Sequence, residues 1–372
     1  MFAAMNRKSM LTAALAALTF YAAGLEAELR ILQPTGAETV YSGASLRMVA
    51  RWSGDPAGLS FRWSSDVDGE LGTGLVTSAE ALSYASHRIT IEAFSGDSLA
   101  GRARTVVHVI GSPEQFTLSE RTDWEGEFSP SGRRLAYTSY RSGDPEIWVA
   151  EVENRFAERI TYNGGRTPVW NPDGTRLAFW SERSGSRDIW LVDLAQDPRE
   201  AVRLTKSSAD EWMPAFHPLE SKIAYIAKHD RELRLMVMTL GPMDTTAVEV
   251  VGPERYPMFP RWSSDGRELL FTSFAGSTPV LIRYSTESGA LIETGPPGCE
   301  DADISPGGDR VLLVRDGELY LLSTGDGAIR PLSRDSGGVL SPRFSPDGNR
   351  AVYATTRSGN CDLWLLDLPP GR

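Results

Sequence analysis

Histidine and cysteine are scarce in this sequence, which contains four histidines and two cysteines. The histidines lie far apart, and no two of them have the short spacing that is typical of zinc ligands. Basic residues are also outnumbered: 38 Lys and Arg stand against 49 Asp and Glu, which gives a formal net charge of -11. Because binding to nucleic acid needs clustered positive charge, the composition excludes a general nucleic-acid binder.

Long apolar runs are absent after the first residues of the chain, so no later segment is expected to cross a membrane. Arg7 and Lys8 precede the apolar run Met10–Phe20, and small residues follow up to Ala27. This order is typical of a secretory signal, and the run is shorter than the roughly 20 residues of a membrane span. We therefore predict a cleaved signal peptide at 1–27 and a periplasmic or secreted protein; the alternative is an uncleaved anchor helix. There is no cysteine near the cleavage region, so a lipid anchor is not expected.

Two hydrolase signatures are missing as well. The chain has no Gly-x-Ser-x-Gly elbow, which excludes a propeller peptidase with an α/β-hydrolase domain. Gly96-Asp97-Ser98-Leu99 matches a short esterase motif, but it lies in a predicted hairpin and no Asp-x-x-His pair accompanies it. The motif is interpreted as a turn.

An internal repeat is the most informative feature that is present. Phe128-Ser129-Pro130-Ser131-Gly132, Trp170-Asn171-Pro172-Asp173-Gly174 and Phe344-Ser345-Pro346-Asp347-Gly348 are related strings. Weaker copies begin at Phe216, Trp262 and Ile304, so the anchor residues recur every 40 to 46 residues. That period is typical of a four-stranded propeller blade, and six copies predict six blades.

Each copy predicts the same succession of strands. The anchor ends a first strand, a Pro-Asp-Gly turn leads into a second, and a third strand contains Asp-Ile-Trp or a variant, as at Asp188-Ile189-Trp190. A fourth strand ends in Leu-Thr or a variant. The last copy stops after its third strand, whereas an orphan fourth-strand signature, Phe116–Ser119, precedes the first copy. We expect this segment to complete the final blade and close the ring.

These Ser-Pro-Asp-Gly turns, Asp-Ile-Trp strands and Leu-Thr ends resemble the WD40-like repeats of TolB-family propellers. The resemblance covers about 116–368 and implies an all-β fold with a six-bladed β-propeller at 114–369. Propellers have many unrelated functions, so the resemblance predicts the fold far better than the function.

The region before the propeller, 29–111, shows short alternating strands separated by turns, a pattern typical of a small β-sandwich. It resembles bacterial immunoglobulin-like or PKD-like modules, and Gly111-Ser112-Pro113 is the expected joint. TolB proteins carry a mixed α/β domain at this place instead. The family's partnership with a peptidoglycan-associated lipoprotein is therefore not transferred to this chain.

Charged and aromatic residues are concentrated in the segments that lead into the first strands. If they project toward one end of the central channel, they form a mouth at which a ligand can bind. The candidate binding residues are Asp123, Trp124, Glu125, Arg166, Asp210, Glu211, Trp212, Arg255, Asp301 and Asp303.

We predict that the carboxylates among them form a solvated acidic rim, and that Trp124 and Trp212 can be partly exposed there. The first functional hypothesis is a non-catalytic binding protein that takes a protein or cell-wall component at this face. The alternative is a metal-dependent hydrolase or lactonase that holds calcium among the carboxylates. No other cofactor is expected, and the protein is expected to be a monomer.

The two cysteines, Cys299 and Cys361, fall in predicted loops that emerge on the same face of neighbouring blades. An oxidising compartment would allow them to form a disulfide. The sequence leaves open whether they do.

Overall fold

The computed structural model describes residues 27–35, 38–83, 85–241, 245–333 and 337–369. The predicted signal peptide falls almost wholly outside these ranges. The chain divides into two compact units, Met1–Val109 and Ile110–Arg372. Across the described ranges, no helix is long and apolar enough to span a membrane.

The described residues of the first unit form two sheets, a three-stranded sheet with the order β1-β3-β6 and a five-stranded sheet with the order β2-β8-β7-β4-β5. The strands are β1 (Leu29–Gln33), β2 (Glu38–Tyr41), β3 (Leu46–Trp52), β4 (Leu59–Ser65), β5 (Gly69–Thr73), β6 (Val76–Ala79), β7 (Ser86–Ser95) and β8 (Ser98–Ile110). Gly96 and Asp97 form the tight connection between β7 and β8, so the esterase-like motif is indeed located at a hairpin turn.

Alternating burial gives the first unit its core. In β3, Leu46 and Met48 are buried while Arg47 is exposed, as expected when one face of a strand packs inward. They join residues of the larger sheet, including the fully buried Trp63, in one apolar cluster. The indole nitrogen of Trp63 donates to the carbonyl of Gly74 at 2.9 Å, so its polar atom is satisfied inside the core.

The described residues of the second unit form six four-stranded antiparallel sheets, here numbered I to VI along the chain. Sheet I is β10 (Asp123–Phe128), β11 (Arg134–Ser139), β12 (Glu146–Glu151) and β13 (Ala157–Arg159); sheet II is β14 (Arg166–Trp170), β15 (Arg176–Ser181), β16 (Asp188–Asp193) and β17 (Ala201–Arg203); sheet III is β18 (Asp210–Phe216), β19 (Lys222–His229), β20 (Glu232–Leu240) and β21 (Thr245–Val251).

Sheet IV follows a short 3-10 helix at Pro253–Arg255. It consists of β22 (Pro257–Trp262), β23 (Glu268–Ser273), β24 (Val280–Ser285) and β25 (Leu291–Thr294); sheet V is β26 (Cys299–Ile304), β27 (Arg310–Arg315), β28 (Glu318–Ser323) and β29 (Ile329–Pro331); sheet VI is β30 (Val339–Phe344), β31 (Arg350–Thr355), β32 (Asp362–Asp367) and β9 (Glu114–Gln115).

The first strands of the six sheets contact one another in cyclic order. Each of them touches the first strand of the next sheet, and β30 of sheet VI touches β10 of sheet I. The cycle is fastened by β9, which precedes sheet I in sequence and pairs with β32 of sheet VI. The closing strand is Glu114–Gln115, directly before the predicted segment Phe116–Ser119.

The residues of the Leu-Thr signature follow the fourth strand and fasten it to the third. In four sheets the residue after the strand donates its N–H to a third-strand carbonyl at 2.7 to 2.8 Å. The next hydroxyl accepts from the N–H of that same third-strand residue at 2.9 to 3.1 Å. The hydroxyls are those of Thr117, Thr161, Thr205 and Ser333. This reciprocal pair explains why the signature recurs.

A buried carboxylate at the start of the third strand completes the contact. Glu146 of β12 accepts from Arg159 at 2.8 Å, from the Thr161 hydroxyl, and from the Gly164 N–H at 3.2 Å. In sheet II, Asp188 accepts from Arg203 at 2.7 Å in the same way. The charge is therefore paired and hydrogen-bonded where it is withdrawn from water.

Replacing Glu146 by Ala should destabilise the protein by about 2–3 kcal/mol, because it leaves the partly buried Arg159, the buried Thr161 hydroxyl and the Gly164 N–H without their acceptor. Glu153→Ala, at an exposed position of the loop after β12, should change stability by less than about 0.5 kcal/mol. Urea unfolding of both variants measures the difference. Equal stabilities would contradict this role of Glu146.

Candidate binding site at the centre of the six sheets

An irregularity at the same position of every first strand aims side chains toward the centre of the cycle. The pairing of each first strand with its second strand shifts register before the aromatic or apolar anchor. In five of them the residue three before the anchor has a left-handed backbone with φ of 49 to 55°: Glu125, Thr167, Met213, Phe259 and Ser341. Bulges of this kind redirect the side chains that follow them.

One residue from each first strand, the one immediately before the anchor, lines a central cavity of about 350 Å³. These six residues, here called the central ring, are Glu127, Val169, Ala215, Arg261, Asp303 and Arg343. The charged members come from sheets IV, V, VI and I, which are consecutive in the cycle, whereas sheets II and III contribute apolar side chains. The ring thus has a charged half and an apolar half.

The two arginines of the ring are held in the same way. Arg261 and Arg343 are 8% and 7% exposed. Each donates through Nη1 to the carbonyl of the proline before it, at 2.8 Å for Pro260 and 2.5 Å for Pro342. Arg343 also lies 3.5 Å from an Asp301 carboxylate oxygen, and the Arg261 Nε lies 4.0 Å from Asp303. Both guanidinium groups are thereby fixed beside carboxylates.

The two ring carboxylates accept hydrogen bonds from the backbone of a neighbouring sheet. The N–H of Trp170 donates to Glu127 at 3.0 Å, and the N–H of Phe344 donates to Asp303 at 2.8 Å. The indole of Trp170 also donates to the carbonyl of Glu127 at 3.2 Å. These bonds link sheet I to sheet II and sheet V to sheet VI at the centre.

Burial raises the pKa of all three central carboxyls. It brings the pKa of Glu127 to about 7, that of Asp301 to about 7 and that of Asp303 to about 6. The positive charge of Arg261 opposes this rise in each case, and Asp303 adds to it at Glu127 and Asp301. The arginines at the centre therefore lie beside carboxyl groups whose pKa values are close to neutral pH.

Two polar atoms at the centre have no hydrogen-bond partner within the described residues. They are the Nε of Arg261, a donor, and the Oδ2 of Asp301, an acceptor. Both atoms are shielded from the surface, so each adds to the cost of placing charged groups at the centre.

Of the predicted site residues, Asp301 and Asp303 lie at this centre. The others are used elsewhere. Asp123 is fully buried and pairs with Arg141 at 3.2 Å, and Glu211 is buried and accepts from Ser207 at 2.6 Å. The prediction of a solvated acidic rim is therefore wrong for these carboxylates, because the sheets that carry them pack over their side chains.

The remaining predicted residues mostly make contacts between and within sheets. Glu125 accepts from Thr138 at 2.7 Å and from the Thr167 N–H at 2.9 Å, which ties sheet I to sheet II.

Cations and aromatic rings make up the other contacts. Trp212, whose exposure the sequence left open, is only 8% exposed and lies under the Arg187 guanidinium. Trp124 is partly buried beside Tyr140, and Arg166 lies over Tyr140 and Trp180. Asp210 accepts a hydrogen bond from the Arg187 N–H. Arg255 lies half-buried in the 3-10 helix.

Three central residues were missed from the sequence: Glu127, Arg261 and Arg343. They lie where the first strands end, next to the Pro-Asp-Gly turns, whereas the prediction concerned the opposite end, where these strands begin. A signal existed, because Phe259-Pro260-Arg261-Trp262 and Ser341-Pro342-Arg343-Phe344 share a Pro-Arg-aromatic pattern at the same place of the repeat.

The two cysteines are free and buried, so the structure does not contain the possible disulfide. Cys299 packs in a cluster with Leu270 and Leu281 of sheet IV. Cys361 packs in another cluster with Leu135 and Phe128 of sheet I. The two thiols therefore face away from each other, each toward the neighbour on the other side of its own sheet.

Both thiols should be unreactive in the folded protein, because burial raises the pKa of Cys299 and of Cys361 to about 11. A colorimetric thiol reagent at near-neutral pH should label neither cysteine before unfolding and both in denaturant. Absence of free thiols in unreduced, denatured protein would show that a disulfide forms after all.

The stability of the protein should depend on pH through Asp301. Its pKa is higher in the folded than in the unfolded chain, so its contribution is present at low pH and is lost as pH rises from about 4 to about 7. Asp301→Asn cannot ionise, so its stability relative to wild type should improve by roughly 1–3 kcal/mol between about pH 5 and pH 8.

Urea unfolding at both pH values measures this change, and Glu300→Gln is the matched control because Glu300 is the exposed neighbour in the same strand. The control should show no such pH dependence. A difference between Asp301→Asn and wild type that stays constant with pH would contradict the assignment.

Comparison with known proteins agrees with this architecture. Residues 116–248 match the family described as TolB beta propeller domain. A Tol-Pal system protein TolB of Bordetella pertussis is 27% identical over 159 residues, which make up 41% of this chain and 36% of that protein. The chain thus matches about a third of the length of this curated relative.

Solved structures show the same fold at low identity. A putative TolB from Agrobacterium tumefaciens aligns over 78% of this chain and 100% of its own, with 16% identity and a TM-score of 0.55. A gluconolactonase from Xanthomonas campestris aligns over 69% of this chain and 89% of its own, with 14% identity and a TM-score of 0.54. This all-β chain therefore contains a TolB-like β-propeller.

Proposed function

We propose that this chain is a non-catalytic, exported binding protein of the bacterial cell envelope, which engages a protein or cell-wall partner through the central ring. In this proposal the six sheets are the six blades of one propeller, spanning 114–369. The region 29–111 is an immunoglobulin-like or PKD-like sandwich that serves as a spacer or a second contact. Residues 1–27 act as a cleaved signal peptide.

The central ring is the observation that carries this proposal. Four charged side chains from four separate sheets meet around one cavity, and two of them, Arg261 and Arg343, are more than nine-tenths buried. Withdrawing charges from water is costly, and a fold does not need them at a central cavity. Their convergence supports a site for recognition, in which loops and strand ends of a rigid scaffold hold the contacting groups.

The similarity to TolB supports the place of action. The Bordetella relative is named as part of the Tol-Pal system, and an envelope location fits the predicted signal peptide. Because only about a third of that relative is matched, its partners are not assigned to this chain, and the partner here is proposed by class alone.

The alternative, a metal-dependent hydrolase or lactonase, has weaker support. Likeness to a gluconolactonase at 14% identity concerns the fold. Within the described ranges, no group of three or more His, Cys, Asp or Glu residues is arranged to hold a metal ion. At the centre, Arg261 and Arg343 lie beside Asp303 and Asp301, so these carboxylates already have cationic neighbours.

Site-specific photo-crosslinking in the native cell tests the proposal and locates the face. A photoreactive residue at Ser264, which is exposed at the edge of the central cavity, should form an adduct with one reproducible partner. The same residue at Ser142, in the loop between β11 and β12 at the opposite end of the sheets, should form none. Ser288, in the exposed turn between β24 and β25, controls for nonspecific capture.

Adducts from Ser142 alone would move the binding surface to the face where the first strands begin. Lack of a specific adduct from both Ser264 and Ser142 would contradict the binding function at either mouth. Arg261→Gln in the background of the Ser264 crosslinker should reduce the adduct several-fold, since it removes a buried cation from the contact surface.

A further inference from the structure

We propose that the central ring recognises a neutral, hydroxyl-rich group of the size of one sugar ring, so that the ligand of this site is a saccharide unit. This inference rests on the proposed binding function and specifies the chemistry of the ligand.

The balance of charge at the centre is the first argument. Arg261 and Arg343 lie among Glu127, Asp301 and Asp303, and each cation has a carboxylate within 4.0 Å. An anionic ligand would meet Asp303 and Glu127 as it approached the arginines, and a cationic ligand would meet the two guanidinium groups. A buried charge without a partner is costly, so the arrangement favours a ligand that carries no net charge.

The mixture of donors and acceptors around the cavity is the second argument. Arg261 and Arg343 contribute guanidinium donors to its lining, and Glu127 and Asp303 contribute carboxylate acceptors. A hydroxyl group donates one hydrogen bond and accepts others, so adjacent hydroxyls on one ligand can pair with both kinds of group. A ligand with acceptors alone or donors alone could pair with only one kind.

The backbone around the ring argues against an extended peptide that pairs with a strand edge. Such binding uses free N–H and carbonyl groups of an exposed strand. Here the N–H of Trp170 is used by Glu127, and the N–H of Phe344 is used by Asp303. Recognition at the ring is thereby left to side chains, whose planar guanidinium and carboxylate groups suit pairs of hydroxyls.

The shape of the cavity is the third argument. Its volume of about 350 Å³ lies at the small end of the range for small-molecule sites, roughly 300–1,000 Å³. Val169 and Ala215 form an apolar wall across from the charges, and Phe216 and Trp262 contribute aromatic surface at the edge. A sugar ring presents hydroxyls at its edge and C–H groups on its faces, which matches a cavity with one polar and one apolar side.

Saturation-transfer NMR and calorimetry on the purified full-length protein test the inference, with glucose, N-acetylglucosamine and cellobiose as probes. At least one probe should bind with a Kd of about 1 mM or tighter. Arg261→Gln and Asp303→Asn should each weaken that binding about tenfold, because each removes one of the charged groups that line the cavity. Glu300→Gln, on the exposed side of the same strand as Asp301, should leave the Kd unchanged.

A rim variant covers the case in which a central substitution impairs folding. Ser264→Trp places a bulky group at the exposed edge of the cavity without altering the ring, and it should abolish binding while the melting temperature stays unchanged. Binding that survives Ser264→Trp would place the sugar elsewhere and overturn the inference.

Failure of all three saccharides to bind, or binding of calcium, glycine or an acidic peptide that Arg261→Gln and Asp303→Asn weaken, would likewise overturn it. A partner captured through Ser264 in cells, with no saccharide bound by the purified protein, would refute the sugar specificity and leave the proposed binding function standing.

Discussion

The convergence of six first strands on one centre is the constraint from which the rest of this unit follows. The residue before each anchor lines the central cavity, and a bulge in each first strand lies just before that residue. Five of the bulged residues accept a left-handed backbone, although none is glycine, at a cost of roughly 1–2 kcal/mol each. At Gly126, an added Cβ would lie 3.0 Å from Leu363 of the neighbouring sheet. Packing therefore sets the backbone geometry at the centre, whereas the residue type at the position before the anchor can differ from sheet to sheet.

Charge compensation explains why such a centre can persist. Each ring arginine is fixed by a proline carbonyl and lies beside a carboxylate, and each ring carboxylate accepts a backbone N–H from the next sheet. The charges thus double as links between neighbouring sheets. Compensation is incomplete, because burial leaves the pKa of Glu127 and of Asp301 near 7. A fold optimised for stability alone would place apolar residues here, as sheets II and III do.

Much of the second unit could be predicted because the repeat encodes local chemistry. The turns follow from Pro-Asp-Gly strings, and Gly174 has the positive φ that such a turn requires. The closing strand lies directly before the predicted segment, and Phe116 and Thr117 of that segment still bond to Leu363 of the third strand through their N–H groups and the Thr117 hydroxyl. The site was harder to predict. Asp123 and Asp301 precede their anchors in similar segments, yet Asp123 pairs within its own sheet and Asp301 lies at the centre. Only the packing of each residue against neighbouring sheets distinguishes the two cases. That packing depends on distant segments.

The uneven distribution of charge within a repeated fold has a consequence for recognition. Six similar sheets would present six equivalent positions to a ligand, and binding would then be degenerate in orientation. Here the charged positions are consecutive, from Arg261 through Asp303 and Arg343 to Glu127, and Val169 and Ala215 fill the other two. A ligand with one polar and one apolar side can satisfy both halves in a single orientation. The repeat therefore supplies the frame, and departures from the repeat at one position per sheet supply the specificity.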